Sequence, residues 1–147
     1  MSVMDKLMDQ MKTAMKAHDK FRVNTLRLLI SQLKNAKIEA GGDLTPEQEL
    51  NVLLAAAKKR KEAIQAYESS GRQDLLDNEQ KELEIINEFL PEQLSDEEIE
   101  KEVSEIIQQV GATSLKDLGK VMGEAMTRLK GKADGKKVQT IVRSKLA

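Results

Sequence analysis

Apolar residues recur at three- and four-residue steps along almost the whole chain, the spacing of one face of an α-helix. The N-terminal stripe consists of Val3, Met4, Leu7, Met8, Met11 and Met15. No segment shows the two-residue alternation of a half-buried strand. The pattern therefore predicts an all-α protein. We expect the methionine stripe to pack into its core, with an adaptable binding groove as the alternative.

Capping signals divide the first 92 residues into about four helices. The second is predicted over residues 19–40. The third begins at the TPEQ stretch, where Thr45 caps the helix, Pro46 fills its first position and Gln48 completes a capping box. A fourth helix is expected over residues 72–89, before a proline that disfavours helical geometry in the residue preceding it.

The long helices of this first unit should separate apolar from charged faces. The second helix is predicted to bury Leu26, Leu29, Ile30 and Leu33. Another of its faces carries Lys20, Asn24, Arg27, Ser31 and Lys34. The run KKRK at residues 58–61 fans around more than one side of the third helix, so we interpret it as solvated surface.

The stretch LPEQLSDEEIE marks a domain boundary between residues 92 and 95. Ser95 is a helix cap, Glu98 completes its capping box, and Leu94 can pack on Ile99 as a hydrophobic staple. Three shorter helices follow, with Ser114 capping the second of them. Their predicted buried residues are Ile99, Val103, Ile106, Ile107, Val110, Leu115, Leu118, Met122, Met126, Leu129, Val138, Ile141, Val142 and Leu146. The chain is thus predicted to form a long-helix bundle over residues 1–92 and a small three-helix bundle over residues 95–147.

Composition narrows the chemistry. The chain has no cysteine, which excludes disulfides and thiol catalysis, and no apolar run near the roughly 20 residues of a membrane span. His18 is the only histidine, and we interpret it as a surface or capping residue. We expect a cytoplasmic protein with no cofactor, no metal and no membrane contact.

The net charge of −1 conceals a segregation of charge along the chain. Residues 74–110 hold 13 acidic and two basic side chains, whereas residues 111–147 hold nine basic and three acidic ones. A basic block of this kind can attract polyanions, and it can equally be the solvated surface of its own helices.

The most basic stretch, KGKADGKKV at residues 130–138, does not match a phosphate-binding P-loop. Three residues separate Gly131 from Gly135 instead of four, and Lys137 stands where Ser or Thr would be required. We predict a helix–turn–helix joint instead. In it, Gly131 ends one helix in the left-handed conformation and Asp134 caps the next.

The charges of this joint could form one basic surface for nucleic acid. The candidate phosphate contacts are Lys120, Lys130, Lys132, Lys136, Lys137 and Arg143. Gly119 and Gly123 lie inside a predicted helix, where each glycine lowers stability by about 1 kcal/mol relative to alanine. This loss indicates that another group approaches the helix backbone closely at these positions. A neighbouring helix and a sugar–phosphate backbone are both open explanations. Because no aromatic residue follows Ser95, contacts should be to phosphates and shape rather than stacked bases.

The C-terminal run GKVMGEAMTRLKGKADGKKVQTIVRSKL resembles the tail domain of GatB, a subunit of the tRNA-dependent amidotransferases. The whole chain is similar to the stand-alone YqeY-like proteins of the same GatB/YqeY family. The further stretches that carry this resemblance are MDKLMDQMKTAMKAHDKFRVNTLRLLISQLKNAKIE, RKEAIQAYESSGRQDL and EFLPEQL.

The resemblance implies two helical domains and a tail that helps to hold tRNA. Its motif positions here are Gly119, Lys120, Gly131, Lys132, Asp134, Val138 and Leu146. Many GatB tails have Asn-Pro where this chain has Asp134-Gly135, a change that preserves a cap followed by a tolerated first helical residue.

The family label, carbon–nitrogen ligase with glutamine as amido-N-donor, describes chemistry for which this chain shows no residues. Nothing in it resembles the Ser-Ser-Lys amidase subunit or the catalytic cradle of GatB. We therefore expect a non-catalytic, tRNA-associated helical module, with a protein–protein adaptor as the alternative. The sequence leaves its oligomeric state and its protein partners open.

Overall fold

The computed structural model describes all 147 residues. It contains seven α-helices and one short 3₁₀ turn but no strand, which confirms the all-α prediction. The helices are α1 (Val3–Lys16), α2 (Lys20–Ala40), α3 (Pro46–Ser70), α4 (Gln73–Asn87), α5 (Asp96–Val110), α6 (Leu118–Leu129) and α7 (Gly135–Leu146). They form two compact units, Met1–Leu90 and Pro91–Ala147.

In the first unit, α1 packs on α2, α3 packs on α4, and α2 also touches both α3 and α4. Leu26, Leu29, Ile30 and Leu33 of α2 are all buried, as predicted. The core is completed by Leu7, Ala14, Leu53, Ala56, Ala57, Ile85 and Ile86.

The predicted packing of the methionine stripe is wrong at two positions. Met8 is 37% exposed and Met15 is 52% exposed. The buried residues of α1 are Leu7, which belongs to the predicted stripe, and Ala14, which does not. Since α1 packs chiefly on the single helix α2, only a narrow strip of it is covered, and a six-residue stripe is too broad to fit under one neighbour.

The interpretation of KKRK as solvated surface is wrong for Arg60, although Lys58 and Lys59 are exposed. Arg60 is only 5% exposed, and its Nε lies 3.0 Å from Glu82 Oε2 and 3.9 Å from Glu79 Oε2. A buried guanidinium requires such partners, and α4 supplies two of them on its side facing α3.

The second unit packs α5, α6 and α7 around one core. Its buried residues are Ile99, Val103, Ile106, Val121, Ala125, Leu129, Val138, Val142 and Leu146. The capping box of Ser95 and Glu98 is present at the start of α5, and Leu94 packs against the core that contains Ile99.

Leu115 departs from the prediction that it is buried, because its side chain is 50% exposed. Ser114 does cap a helical segment, but that segment is the 3₁₀ turn Leu115–Asp117 that precedes α6. A 3₁₀ turn has three residues per turn instead of 3.6. Leu115 is therefore out of register with the apolar face of α6.

Candidate nucleic-acid interface

The joint between α6 and α7 is the turn that the sequence predicts. Gly131 has a φ of 80° and is buried. The N–H groups of Lys132 and Ala133 both donate to the carbonyl of Leu129, at 2.9 and 3.1 Å. The left-handed geometry is one that glycine adopts without a steric penalty, so Gly131 is required by the turn itself.

The predicted cap of α7 is also confirmed. Asp134 Oδ1 accepts a hydrogen bond from the N–H of Lys136 at 3.2 Å. Gly135 is the first helical residue, and a Cβ there would lie 3.5 Å from the terminal methyl of Met126, an ordinary van der Waals contact. The position therefore has room for a Cβ atom.

Two hydrogen bonds connect the segment before α5 to this joint, and neither is predictable from the sequence. The side-chain amide of Gln93 donates to the Gly131 carbonyl at 2.7 Å, and the N–H of Leu94 donates to the Lys132 carbonyl at 2.8 Å. These partners lie 38 residues apart in the sequence, and no local pattern marks them. Both carbonyls of the turn are thereby satisfied, which fixes the backbone that carries its lysines.

The candidate cations lie on the surface of the second unit. All six side chains are exposed: Lys120, Lys130, Lys132, Lys136, Lys137 and Arg143. Lys136 and Arg143 share one face of α7, with Thr140 between them. Lys137 is turned away from that face and forms an ion pair with Asp96, its Nζ 2.7 Å from Oδ1. This exposed pair is weak, yet it makes Lys137 less available to a phosphate than Lys136.

Gly119 and Gly123 lie on the outer face of α6, and both are exposed. A Cβ built on either residue would meet no atom within 4 Å. A neighbouring helix of this chain is therefore not the reason for these glycines, which removes one of the two explanations offered above. With Thr127 one turn further on, they leave a strip of α6 where an outside molecule can reach the backbone.

Asp117 organises the start of α6 close to one of the candidate cations. Its Oδ2 accepts hydrogen bonds from the N–H groups of Thr113 and Ser114, at 2.9 and 3.4 Å. The bond from Thr113 is the main cause that lowers the pKa of the Asp117 carboxyl, and the charge of Lys120 lowers it further. Asp117 is thus held as an anion that caps the turn.

No group of three or more histidine, aspartate or glutamate side chains is arranged to hold a metal ion. None of the seven helices combines the length and the apolar character that crossing a bilayer requires.

Comparison with known proteins decides the family. A family model described as Yqey-like protein matches residues 4–146. The chain belongs to this YqeY-like family. The match covers both helical units, so the predicted resemblance is confirmed over almost the full chain.

Two kinds of YqeY-like relative are found among curated proteins. A glutamyl-tRNA(Gln) amidotransferase subunit of Thermococcus gammatolerans is 30% identical over 123 residues, which are 81% of this chain and 20% of the archaeal protein. Altered inheritance of mitochondria protein 41, mitochondrial, of Lachancea thermotolerans is 34% identical over 107 residues, 71% of this chain and 57% of that protein. A protein of the same name from Pyrenophora tritici-repentis is 25% identical over 97% of this chain and 82% of its own length.

The chain spans about a fifth of the archaeal protein and somewhat over half of the Lachancea protein. The names of the fungal relatives place those proteins in mitochondria. A cytoplasmic location for this chain therefore stays a prediction.

Proposed function

We propose that this YqeY-like chain is a non-catalytic module that associates with tRNA through its C-terminal unit. The observation that carries the proposal is the combination of exposed cations on α6, α7 and the turn between them with two glycines of α6 whose Cβ positions meet no atom within 4 Å. The name of the archaeal relative supports tRNA as the RNA concerned.

The chemistry of this surface favours phosphates over bases. The aromatic residues of the chain are Phe21, Tyr67 and Phe89, so the C-terminal unit has no ring on which a base could stack. Lysine and arginine side chains with exposed backbone suit the sugar–phosphate chain of a folded RNA, which proteins recognise through shape and phosphate contacts. Lys132 lies in the hydrogen-bonded turn and Lys136 in the first turn of α7, and neither is held in an ion pair as Lys137 is, so they are the best placed pair.

The proposal assigns binding to the chain and leaves amide transfer to other proteins. The archaeal relative is about five times as long as the matched segment, so its activity as a whole is not carried over. In this account the second unit supplies a fixed cationic surface. Gln93 and Leu94 hold the turn, and Asp117 and Asp134 cap the two segments that present the lysines.

The test is charge reversal at Lys132 and Lys136. The double variant Lys132→Glu/Lys136→Glu should bind unfractionated tRNA at least tenfold more weakly and lower the salt slope by about two, because two phosphate contacts are lost. The matched control is Lys58→Glu/Lys59→Glu, which changes the charge equally at two exposed residues of α3. Equal affinities for both variants would contradict the proposal.

A protein–protein adaptor is the second candidate, and the exposure of Met8 and Met15 favours it. Flexible methionine side chains suit a surface that adapts to different partners. This candidate predicts protein partners that remain bound at high salt and that do not require RNA. Loss of those partners on nuclease treatment would count against it.

A further inference from the structure

The exposed face of α2 in the first unit is a second basic surface. It consists of Lys20, Asn24, Arg27, Ser31 and Lys34, which follow one another at alternating steps of four and three residues. Those steps keep all five on one side of the helix. The three cations are seven residues apart, or about 10 Å at 1.5 Å per residue.

These cations have no partner within the chain, unlike others on the same helix. Arg22 is bound to Glu88 at 2.6 Å, and Lys37 lies 3.0 Å from Asp43. No ion pair or hydrogen bond engages the side chains of Lys20, Arg27 or Lys34. Residues 20–38 contain no acidic side chain, so every charged side chain on this face is a cation.

The face opens at its N-terminal end into a shallow depression of about 320 Å³. Its lining residues are Met15, His18, Lys20, Val23, Asn24 and Arg27. Met15 and Val23 supply apolar lining, while Lys20 and Arg27 supply positive charge. His18 follows the end of α1 and has a φ of 57°. Glycine adopts this left-handed conformation without a steric penalty, whereas histidine is strained in it.

We propose that this face is a second contact surface for RNA, distinct from the joint of the C-terminal unit. Lys20, Arg27 and Lys34 bind phosphates, and Asn24 and Ser31 hydrogen-bond to sugar hydroxyls or phosphate oxygens between them. An unpaired base enters the depression, rests on Met15 and stacks on the His18 ring. The identity of the partner as RNA rests on the proposed function; the surface itself rests on the geometry of α2.

The composition of the face favours RNA over an acidic protein. Cations alternating with short amide and hydroxyl side chains are the groups that contact sugar and phosphate. An unpaired base that stacks on histidine or on a guanidinium plane is a common element of RNA recognition. A protein partner would be expected to require a larger apolar area at the centre of the face. Leu28, which is 42% exposed, lies only at the margin of this face.

The first experiment compares two triple variants of the full chain by fluorescence anisotropy with unfractionated tRNA at about 100 mM salt. Lys20→Gln/Arg27→Gln/Lys34→Gln removes the cations of the face. Lys58→Gln/Lys59→Gln/Lys81→Gln removes the same charge from exposed lysines elsewhere in the unit. The first variant should bind roughly tenfold or more weakly, and the control should bind as the wild type does.

Unchanged binding by the first variant, or equal loss in both, would overturn the inference and favour an acidic protein as the partner of this face.

The variant Lys132→Glu/Lys136→Glu separates this result from the proposed function. If it weakens binding while the α2 variant does not, the proposed function stands and this inference fails. If only the α2 variant weakens binding, the inference stands and the proposed joint is wrong. If neither does, both are wrong.

The second experiment tests the depression through His18→Gly. Glycine relieves the left-handed backbone, so the melting temperature should rise. Removal of the ring should nevertheless weaken binding to tRNA about fivefold or more, the scale of one lost stacking contact. Binding to a fully paired RNA duplex, which offers no unpaired base, should not change. A rise in melting temperature with unaltered tRNA affinity would overturn the assignment of the depression.

Discussion

Asp117 shows how a single carboxylate fixes the surface that carries Lys120. It accepts hydrogen bonds from two consecutive backbone N–H groups and thereby closes the 3₁₀ turn that leads into α6. The same bonds lower the pKa of its carboxyl from the ordinary value of 3.8. The charged form is therefore the one that stabilises the folded second unit.

This linkage gives a pH prediction. Because the folded pKa of Asp117 is depressed, its contribution to stability is fully present above pH 3.8 and is lost as the pH falls through the lower folded value. Asp117→Asn should lower the urea midpoint of the chain at neutral pH. The difference from wild type should shrink as the pH is reduced below 3.8.

Glu100→Gln on the exposed surface of α5 is the control, and it should not alter the midpoint at neutral pH. A deficit of Asp117→Asn that is equal at every pH would contradict the electrostatic account of this cap.

Residues with local roles are predictable from the sequence, and residues with distant partners are not. Ser95, Gly131 and Asp134 act on backbone groups within a few positions, so the sequence alone indicates their function. Arg60 and Gln93 bind partners 22 and 38 residues away, and nothing near them in the sequence identifies those partners. Sequence reasoning consequently places Arg60 on the surface and overlooks Gln93.

At the scale of the element, α6 is a helix with one face buried in the core and the opposite face exposed. Val121, Ala125 and Leu129 are buried in the core, while Gly119 and Gly123 lie opposite with free space above them. The glycine spacing is visible in the sequence, but only the structure shows that no helix covers it. Leu115 is misplaced by the sequence pattern, because apolar periodicity does not distinguish a 3₁₀ turn from the first turn of an α-helix.

The open glycines give opposite effects on stability and binding. Gly119→Ala/Gly123→Ala should stabilise the chain by about 1 kcal/mol per site, because alanine is the better helix former and its Cβ meets no atom. The two methyl groups should also keep an RNA backbone away and weaken tRNA binding by roughly tenfold. Thermal melting and anisotropy measure the two effects.

Ser104→Ala on the exposed face of α5 is the matched control, since it improves helix propensity away from the joint. It should stabilise the chain slightly and leave tRNA affinity unchanged. A stabilised glycine double variant with wild-type affinity would show that RNA does not approach α6 at these positions.

At the scale of the whole molecule, the near-zero net charge is the sum of strongly separated regions. The acidic residues concentrate in residues 74–110, while the basic surfaces occupy α2 in one unit and the α6–α7 joint in the other. This separation is predictable from the sequence for the C-terminal block. For α2 the sequence indicates the charged face, but the absence of ion pairs there becomes evident only when the neighbours of each cation are known.

The measurement that tests the central claim most directly is fluorescence anisotropy of unfractionated tRNA against the wild-type chain at about 50 and 200 mM salt. Phosphate contacts by the exposed cations of the joint and of α2 predict saturable binding whose affinity falls by about 10³ or more over this range, and tighter binding to tRNA than to an unstructured RNA of equal length. No saturable binding at the lower salt concentration, or binding insensitive to salt, would contradict a phosphate-binding surface at the α6–α7 joint.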